Sequence, residues 1–221
     1  MTVAFDNSNT GSLNNTTSLT VSLASVGTPS CVVAFVYSLA VPSGITYDGN
    51  SMGAAFASAG PDANGRYAYI YGLNSTATGS KNFVLSFGAN TYADMTVATF
   101  TGSTTGHVFR SGSNTGATAG SGNPSITVSS STNDLVVDCG GSIQSLTVVA
   151  GQTQISNVTF GNIIQGTSRK AGAASVTMGW TIGGTEEWVQ VGASIEVSSG
   201  AAAFIASSAY QNGRVVGAGV F

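Results

Sequence analysis

The sequence predicts an all-β protein, an antiparallel two-sheet β-sandwich of jelly-roll-like character with an apolar C-terminal arm. Three observations predict it. Short runs of alternating apolar and polar residues recur along the chain, the period-2 signature of strands whose side chains leave opposite faces. Clusters of Gly, Asn and Ser separate them, and the chain holds 30 Gly, which mark turns. No stretch carries the 3.6-residue apolar period of a helix of useful length. About a dozen short strands with such punctuation is the pattern of a sandwich.

The elements follow in order. "TTSLTVSL" (16–23) alternates Leu19, Val21 and Leu23 with Thr20 and Ser22, a strand with one wet face. "CVVAFVYSL" (31–39) is apolar throughout, so it belongs at the centre, covered on both sides. In "ITYDGNSM" (45–52) Asp48-Gly49 lies between extended runs and signals a tight hairpin, because Gly tolerates positive φ. "GRYAYIYGL" (65–73) places Tyr67, Tyr69 and Tyr71 on one face, with Ala68 and Ile70 opposite. "KNFVLSF" (81–87) sets Phe83, Leu85 and Phe87 on one side, and "MTVATF" (95–100) is expected to pair nearby.

Residues 102–123 read as a long Gly/Ser/Thr loop holding the only histidine, His107. Such a length implies either a mobile surface loop or a segment ordered by a neighbour. "SITV" (125–128), "DLVVDC" (134–139) and "SLTVVA" (145–150) are the next strands, with weaker ones within 153–164. "SVTMGWTI" (175–182) and "EWVQVGASIEV" (187–197) flank Gly183-Gly184 and read as an antiparallel hairpin. Residues 1–197 thus form the sandwich domain, and 198–221 an arm or extra strand involved in assembly. The arm is apolar to its last residue, with Phe204, Tyr210 and Phe221. Left free it would invite aggregation, so it is expected to dock. No period of 20–50 residues stands out, and no repeat is read.

Charge narrows the function. Only 7% of residues are charged, against about a quarter in ordinary soluble domains. The net charge is −3, and the six Lys and Arg are scattered, whereas a phosphate-gripping surface needs a clustered basic face. Nucleic acid is therefore not an expected partner. No run approaches the ~20 apolar residues of a membrane helix, so no membrane partner is expected, and "MTVAFDNSNT", with no basic start and no apolar run, is not expected to act as a signal peptide. So little charge protects poorly against self-association, which favours a chain covered by other subunits. Cys31 and Cys139 lie in Val-rich runs; they pair if their strands face each other, and otherwise are small buried apolar side chains.

Candidate chemistry is thin. "GNSMG" (49–53) matches G-x-S-x-G, but that elbow needs a strand turning into a helix, and here the glycine belongs to a hairpin. A zinc set needs more than one His and two apolar-buried Cys. Asp134 and Asp138 share a side of one strand roughly 13 Å apart, too far for one ion. Glu186-Glu187 reads as a solvated hairpin end. No catalytic residue, cofactor or metal is assigned, and the chain is not expected to be an enzyme. Trp180 reads as core, while Trp188 stands with Gln190 and Glu196 on a polar face, where it stacks a sugar, anchors a partner or folds over the sheet rim. The tyrosine row is a core wall, an inter-subunit contact or a carbohydrate platform; the first is favoured, because a buried Tyr needs one partner for its hydroxyl.

The order "GITYDGNSMGAAFAS", "RYAYIYGLNSTATGSKNFVLSF", "MTVATFTGS", "NDLVVDCGG" and "WVQVGASIEV" resembles a β-sandwich family common in bacteriophage virion proteins and some bacterial surface proteins. The match spans roughly residues 44–198. It implies a non-enzymatic structural or adhesive module and transfers no active-site residue. The expectation is a virion structural protein, a capsid decoration or cement subunit assembled in the host cytoplasm. Its partners would be the major capsid protein and itself, as a homo-oligomer such as a trimer. The alternative is a tail-fibre or surface module binding carbohydrate through Trp188 or the tyrosines. Candidate interaction residues are Tyr67, Tyr69, Tyr71, Trp188, Phe204, Tyr210 and Phe221.

Overall fold

The structure, a computed structural model, describes residues 2–161 and 163–198. Among these there are fifteen strands and no helix, and the strand pairs are antiparallel. One sheet holds β1 (Ala4–Ala24), β2 (Cys31–Ser38), β3 (Pro42–Tyr47), β4 (Asn50–Ser51), β5 (Ala57–Ala59), β6 (Tyr67–Asn74) and β7 (Ser80–Thr101). Its order is β4-β3-β7-β2-β6-β5, with β1 along β7. The fully apolar "CVVAFVYS" segment is central as expected, buried along its whole length between β6 and β7.

β1 and β7 are long enough to serve two layers. The first part of β7 lies between the end of β1 and β3, and its second part between the start of β1 and β2. The ribbon folds where the register jumps from Ser18–Ser86 to Thr16–Thr91, next to Asn15 at φ 50°. The sheet thereby curls into a half-barrel around Leu13, Val21, Leu23, Ile45, Phe83, Leu85, Met95 and Val97. With the ribbon bent double, Asn7 Nδ2 donates to Ala24 O and Asn9 Nδ2 to Ser22 O, both at 2.7 Å. These amides occupy carbonyls on an edge strand that would otherwise invite a foreign strand.

A second sheet, ordered β12-β13-β10-β15-β8, contains β8 (Thr115–Ala119), β10 (Leu135–Ser142), β12 (Thr153–Phe160), β13 (Ile163–Ala171) and β15 (Trp188–Ile195). A third, ordered β11-β14-β9, contains β9 (Ser125–Ser129), β11 (Leu146–Val148) and β14 (Ser175–Ile182). The main core, with Val33, Phe35, Tyr37, Ile70 and Phe100 facing Val137, Cys139, Val191 and Ile195, joins the first two sheets. Two smaller clusters, around Met178 and Trp180, join the second and third.

The antiparallel all-β class therefore holds, with more layers than one two-sheet sandwich provides. The Asp48-Gly49 hairpin forms between β3 and β4 with φ of 51° and 81°, the paired positive values of a two-residue I′ turn. Other expectations are corrected. β14 and β15 do not form a hairpin: β14 pairs with β9 and β11, β15 with β10 and β8. Segments 81–87 and 95–100 belong to one strand rather than two. The 102–123 segment contains β8, and its Val108 and Phe109 are buried, Phe109 bridging to Ile195. The chain's own sheet holds these parts of it.

The pairing scheme also occurs twice, a repeat that no 20–50-residue period in the sequence reveals. β2 lies between β6 and β7 as β10 lies between β13 and β15. β5 flanks β6 as β12 flanks β13, and the first part of β7 sits between β1 and β3 as β14 sits between β9 and β11. Even the start of β1 along β7 is matched by β8 along β15. The echo in sequence is slight, "SLTVS" (18–22) against "SITVS" (125–129). The unit is nearly half the chain, far longer than a solenoid repeat.

Candidate functional site

The two units meet through equivalent strands. A Cβ on Gly141 would lie 2.2 Å from the ring of Tyr37, and Cys139 Sγ lies 3.8 Å from Val36 O, so β10 packs directly on β2. At this contact one flank is polar and the other apolar. Thr96 Oγ1 donates to Gln165 Oε1 at 2.7 Å and meets Ser156 Oγ at 2.6 Å, and Ser156 meets Thr167 Oγ1 at 2.7 Å. Gln165 Nε2 donates to Phe35 O at 3.0 Å. By ladder register the equivalents of Thr96, Ser156, Thr167 and Gln165 are Val191, Ala57, Ile70 and Ala68, all buried and apolar. A chain of hydroxyls that fits only one of two matching flanks fixes how the halves dock.

Behind this contact Asp138 is wholly buried. Its Oδ1 accepts from Ser168 N and Oγ at 3.0 and 2.6 Å, and its Oδ2 from Trp180 Nε1 and Gln190 Nε2 at 2.8 and 2.7 Å. Burial pushes its pKa up to about 6, against the pull of those four donors. Asp94, also buried, has one oxygen held by Ser12 Oγ at 2.6 Å and the other without a partner. Burial pushes it up to about 7. Both carboxyls sit inside the packing and act as structural posts.

The residues singled out in the sequence fall in different places. Tyr67, Tyr69 and Tyr71 do stand in a row, neighbouring ring centroids 6.1 Å apart. The row faces the half-barrel core, with Tyr69 and Tyr71 buried and Tyr67 half-buried; burial drives the Tyr71 phenol up to about 12. It is a core wall. In β13 the equivalent positions are Ile164, Gly166 and Ser168, and the Trp180 ring fills the space over Gly166, where a Cβ would lie 2.7 Å from it.

Trp188 is not on a wet face. It is 6% exposed, packs with Leu146, Trp180 and Ile182, and its Nε1 donates to Ser121 O at 3.3 Å. The reason is that both faces of β15 are covered, by the first sheet and by the third, so the alternation there has no solvent side. Gln190 beside it is buried for the same reason. Phe204, Tyr210 and Phe221 lie outside the described residues.

Other candidates resolve similarly. Cys31 and Cys139 are free and buried, and burial drives the Cys31 thiol up to about 12. Ser51 of "GNSMG" accepts from Gly53 N at 3.1 Å in a two-residue strand that no helix follows. His107 meets Glu196 Oε2 at 2.5 Å, not a serine, and Arg110 bridges Glu196 to Asp134. Burial raises the Asp134 pKa, but bonds from Arg110, Val197 N and Ser194 outweigh it and hold the group below its ordinary value. Glu187 is no solvated hairpin end: it accepts from Asn64 Nδ2 at 2.6 Å and lies 3.6 Å from buried Arg66, itself bonded to Asp62. Among the described residues no three His, Cys, Asp or Glu converge on a metal position, and no helix is long and apolar enough to cross a membrane.

One surface feature went unseen in the sequence. Leu39, Val41, Tyr92 and Ile143 are 39%, 60%, 40% and 38% exposed, four of the five exposed large hydrophobics among the described residues. Leu39 and Ile143 are equivalents, each following the last residue of its central strand, Ser38 or Ser142. Leu39 N donates to Tyr92 O at 3.1 Å. Leu39, Tyr92, Phe160, Gly161 and Ile163 line an apolar hollow of about 360 Å³. Its members come from β7, β12 and β13, the turn between the last two and the residue after β2, which only the packed sheets bring to one pole. Set against known proteins, the chain matches no family model, no curated protein and no solved structure.

Proposed function

We propose that this chain is a non-enzymatic structural subunit of a bacteriophage particle, a head decoration or cement protein that binds across copies of the major capsid protein and associates with itself. Residues 1–197 are proposed to be a jelly-roll-like variant of the sandwich plan, with 198–221 as the assembly arm. The observation that carries this reading is the surface: nine acidic and six basic residues in 221, and an apolar pole that a lone soluble domain has no use for. The resemblance in the order of motifs adds the virion. The mechanism is mechanical, since buried area across a capsid junction raises the cost of opening it, and a stable contact needs of order 1,000 Å² or more.

The carbohydrate-binding alternative retains only half-buried Tyr67 among its stacking residues, because Tyr69, Tyr71 and Trp188 are buried. Co-purification separates the two. A cement subunit sediments with capsids and protects them against heat; a fibre module sediments with tails, and its glycan-array signal survives without capsids. Recovery with neither particle overturns the virion assignment.

A further inference from the structure

The apolar pole and the point where the described chain ends lie at opposite ends of the same strand. Ser198 N donates to Gly102 O at 2.8 Å, Val197 bridges Ser103, and Ser103 N donates to Ser30 Oγ at 2.8 Å. The chain therefore leaves beside Ser30, immediately before β2. Leu39, on the rim of the hollow, comes immediately after β2. Eight strand residues separate the two ends, so Ser30 and Leu39 lie about 30 Å apart at the strand rise.

The 23 residues after Ser198 have the chemistry of that hollow. They include Phe204, Ile205, Val215, Val216, Val220 and Phe221, and one charged side chain, Arg214. The lining of the hollow carries no ionised group. Near the exit a second hollow, of about 490 Å³, is bordered by Asn74 and His107, and its apolar floor is the chain's own packing: Phe56 stacks on Phe109 at 4.5 Å, and Phe109 and Val108 fill the space over Gly72. The hollow lined by aliphatic and aromatic side chains, with Gly161 and no His, Asn or charged group, belongs to the far pole. A neighbour placed end to end brings its own exit point to that pole without a return path along the molecule.

We propose that residues 199–221 of one copy dock in the Leu39–Tyr92–Phe160–Ile163 hollow of a second copy, a heterologous head-to-tail contact that closes into a ring or runs on as a filament according to its rotation. The proposal rests on the self-association half of the function above and names its occupant; capsid attachment is a separate contact. It is tested on the purified full chain with no capsid present. Val41→Cys goes in one preparation and Phe204→Cys, Val216→Cys or Phe221→Cys in others; both native thiols are buried. On mixing and mild oxidation, a disulfide-linked dimer of the two unlike chains is expected for at least one tail position. Leu39→Asp in the Val41→Cys chain should cut its yield at least five-fold with an unchanged circular dichroism spectrum.

Two results overturn the proposal. One is cross-linking no greater than with an exposed control such as Ser129→Cys. The other is a double variant bridged within a single chain while the mixed single variants give no dimer. Capsid binding without the cross-link removes this contact and leaves the cement role intact; the cross-link without capsid binding does the reverse.

Discussion

Thr96→Val tests the contact that joins the two units. The change is nearly isosteric, so it opens no cavity, and it copies the valine at the equivalent position, Val191. What it removes is the donor to Gln165 Oε1, the bond that oxygen makes to the Thr96 hydroxyl at 2.7 Å in a fully buried site. An orphaned buried acceptor costs about 1–3 kcal/mol. At about 2 kcal/mol, and about 2–4 °C per kcal/mol for a chain of this size, the Tm falls by about 4–8 °C. In a Gln165→Leu background the acceptor is gone, and Thr96→Val should cost under about 0.5 kcal/mol, a coupling well above additive error. Urea unfolding followed by the fluorescence of buried Trp180 and Trp188 reads all four corners of the cycle. Equal costs in both backgrounds, or a neutral Thr96→Val in the native one, would refute the claim that the hydroxyl chain holds this contact.

Three further outcomes follow from the same structure. Gly141→Ala drives a methyl to within 2.2 Å of the Tyr37 ring, which is fully buried and cannot swing aside; a loss of about 3 kcal/mol or more by urea unfolding is expected, and a neutral result would contradict the β2–β10 contact. Asp94 and Asp138 have folded pKa values near 7 and 6, raised from 3.8, so the folded state binds their protons more tightly than the unfolded state. Their burial carries no penalty below about pH 4, and stability falls as pH rises through 6–7, by an order of 3–4 kcal/mol per group; Asp94→Asn should flatten the upper part of that slope in a Tm-versus-pH series. Finally, cutting the chain in the exposed stretch between Thr105 and Gly106 should leave fragments 1–105 and 106–221 that co-purify when co-expressed, whereas 1–105 alone, with its Phe35–Tyr37–Phe100 face bare, should aggregate; fragments that ignore each other would count against that shared core.

Much of the fold was legible because it is written in local patterns. The alternation of Leu19, Val21 and Leu23, the unbroken "CVVAFVYS" and the Asp48-Gly49 turn each fix one element without reference to the rest. Connections were less legible, since strand partners depend on residues far apart. "SVTMGWTI" and "EWVQVGASIEV" are joined by Gly183-Gly184 in the manner of a hairpin, yet they feed different sheets, much as the two parts of β7, within one curled sheet, serve different layers on either side of Gly88. That parallel, with "SLTVS" and "SITVS" ahead of each central strand, is the trace the duplication leaves in the sequence. Trp188 misled because alternation assigns a wet face only when a sheet has one. The apolar pole was out of reach: Leu39, Tyr92, Phe160 and Ile163 are scattered in sequence, and each alone is an unremarkable hydrophobic residue.

Sedimentation velocity of the full chain at about 20 μM, beside Leu39→Asp and a chain ending at Ser198, bears most directly on the idea that this sparsely charged protein is built to pack against its own kind. The full chain should sediment as an oligomer, Leu39→Asp as a folded monomer near 22.0 kDa, and the shortened chain as a folded monomer lighter by its 23 missing residues. A full chain that stays a monomer at that concentration, indistinguishable from its variants, would contradict it.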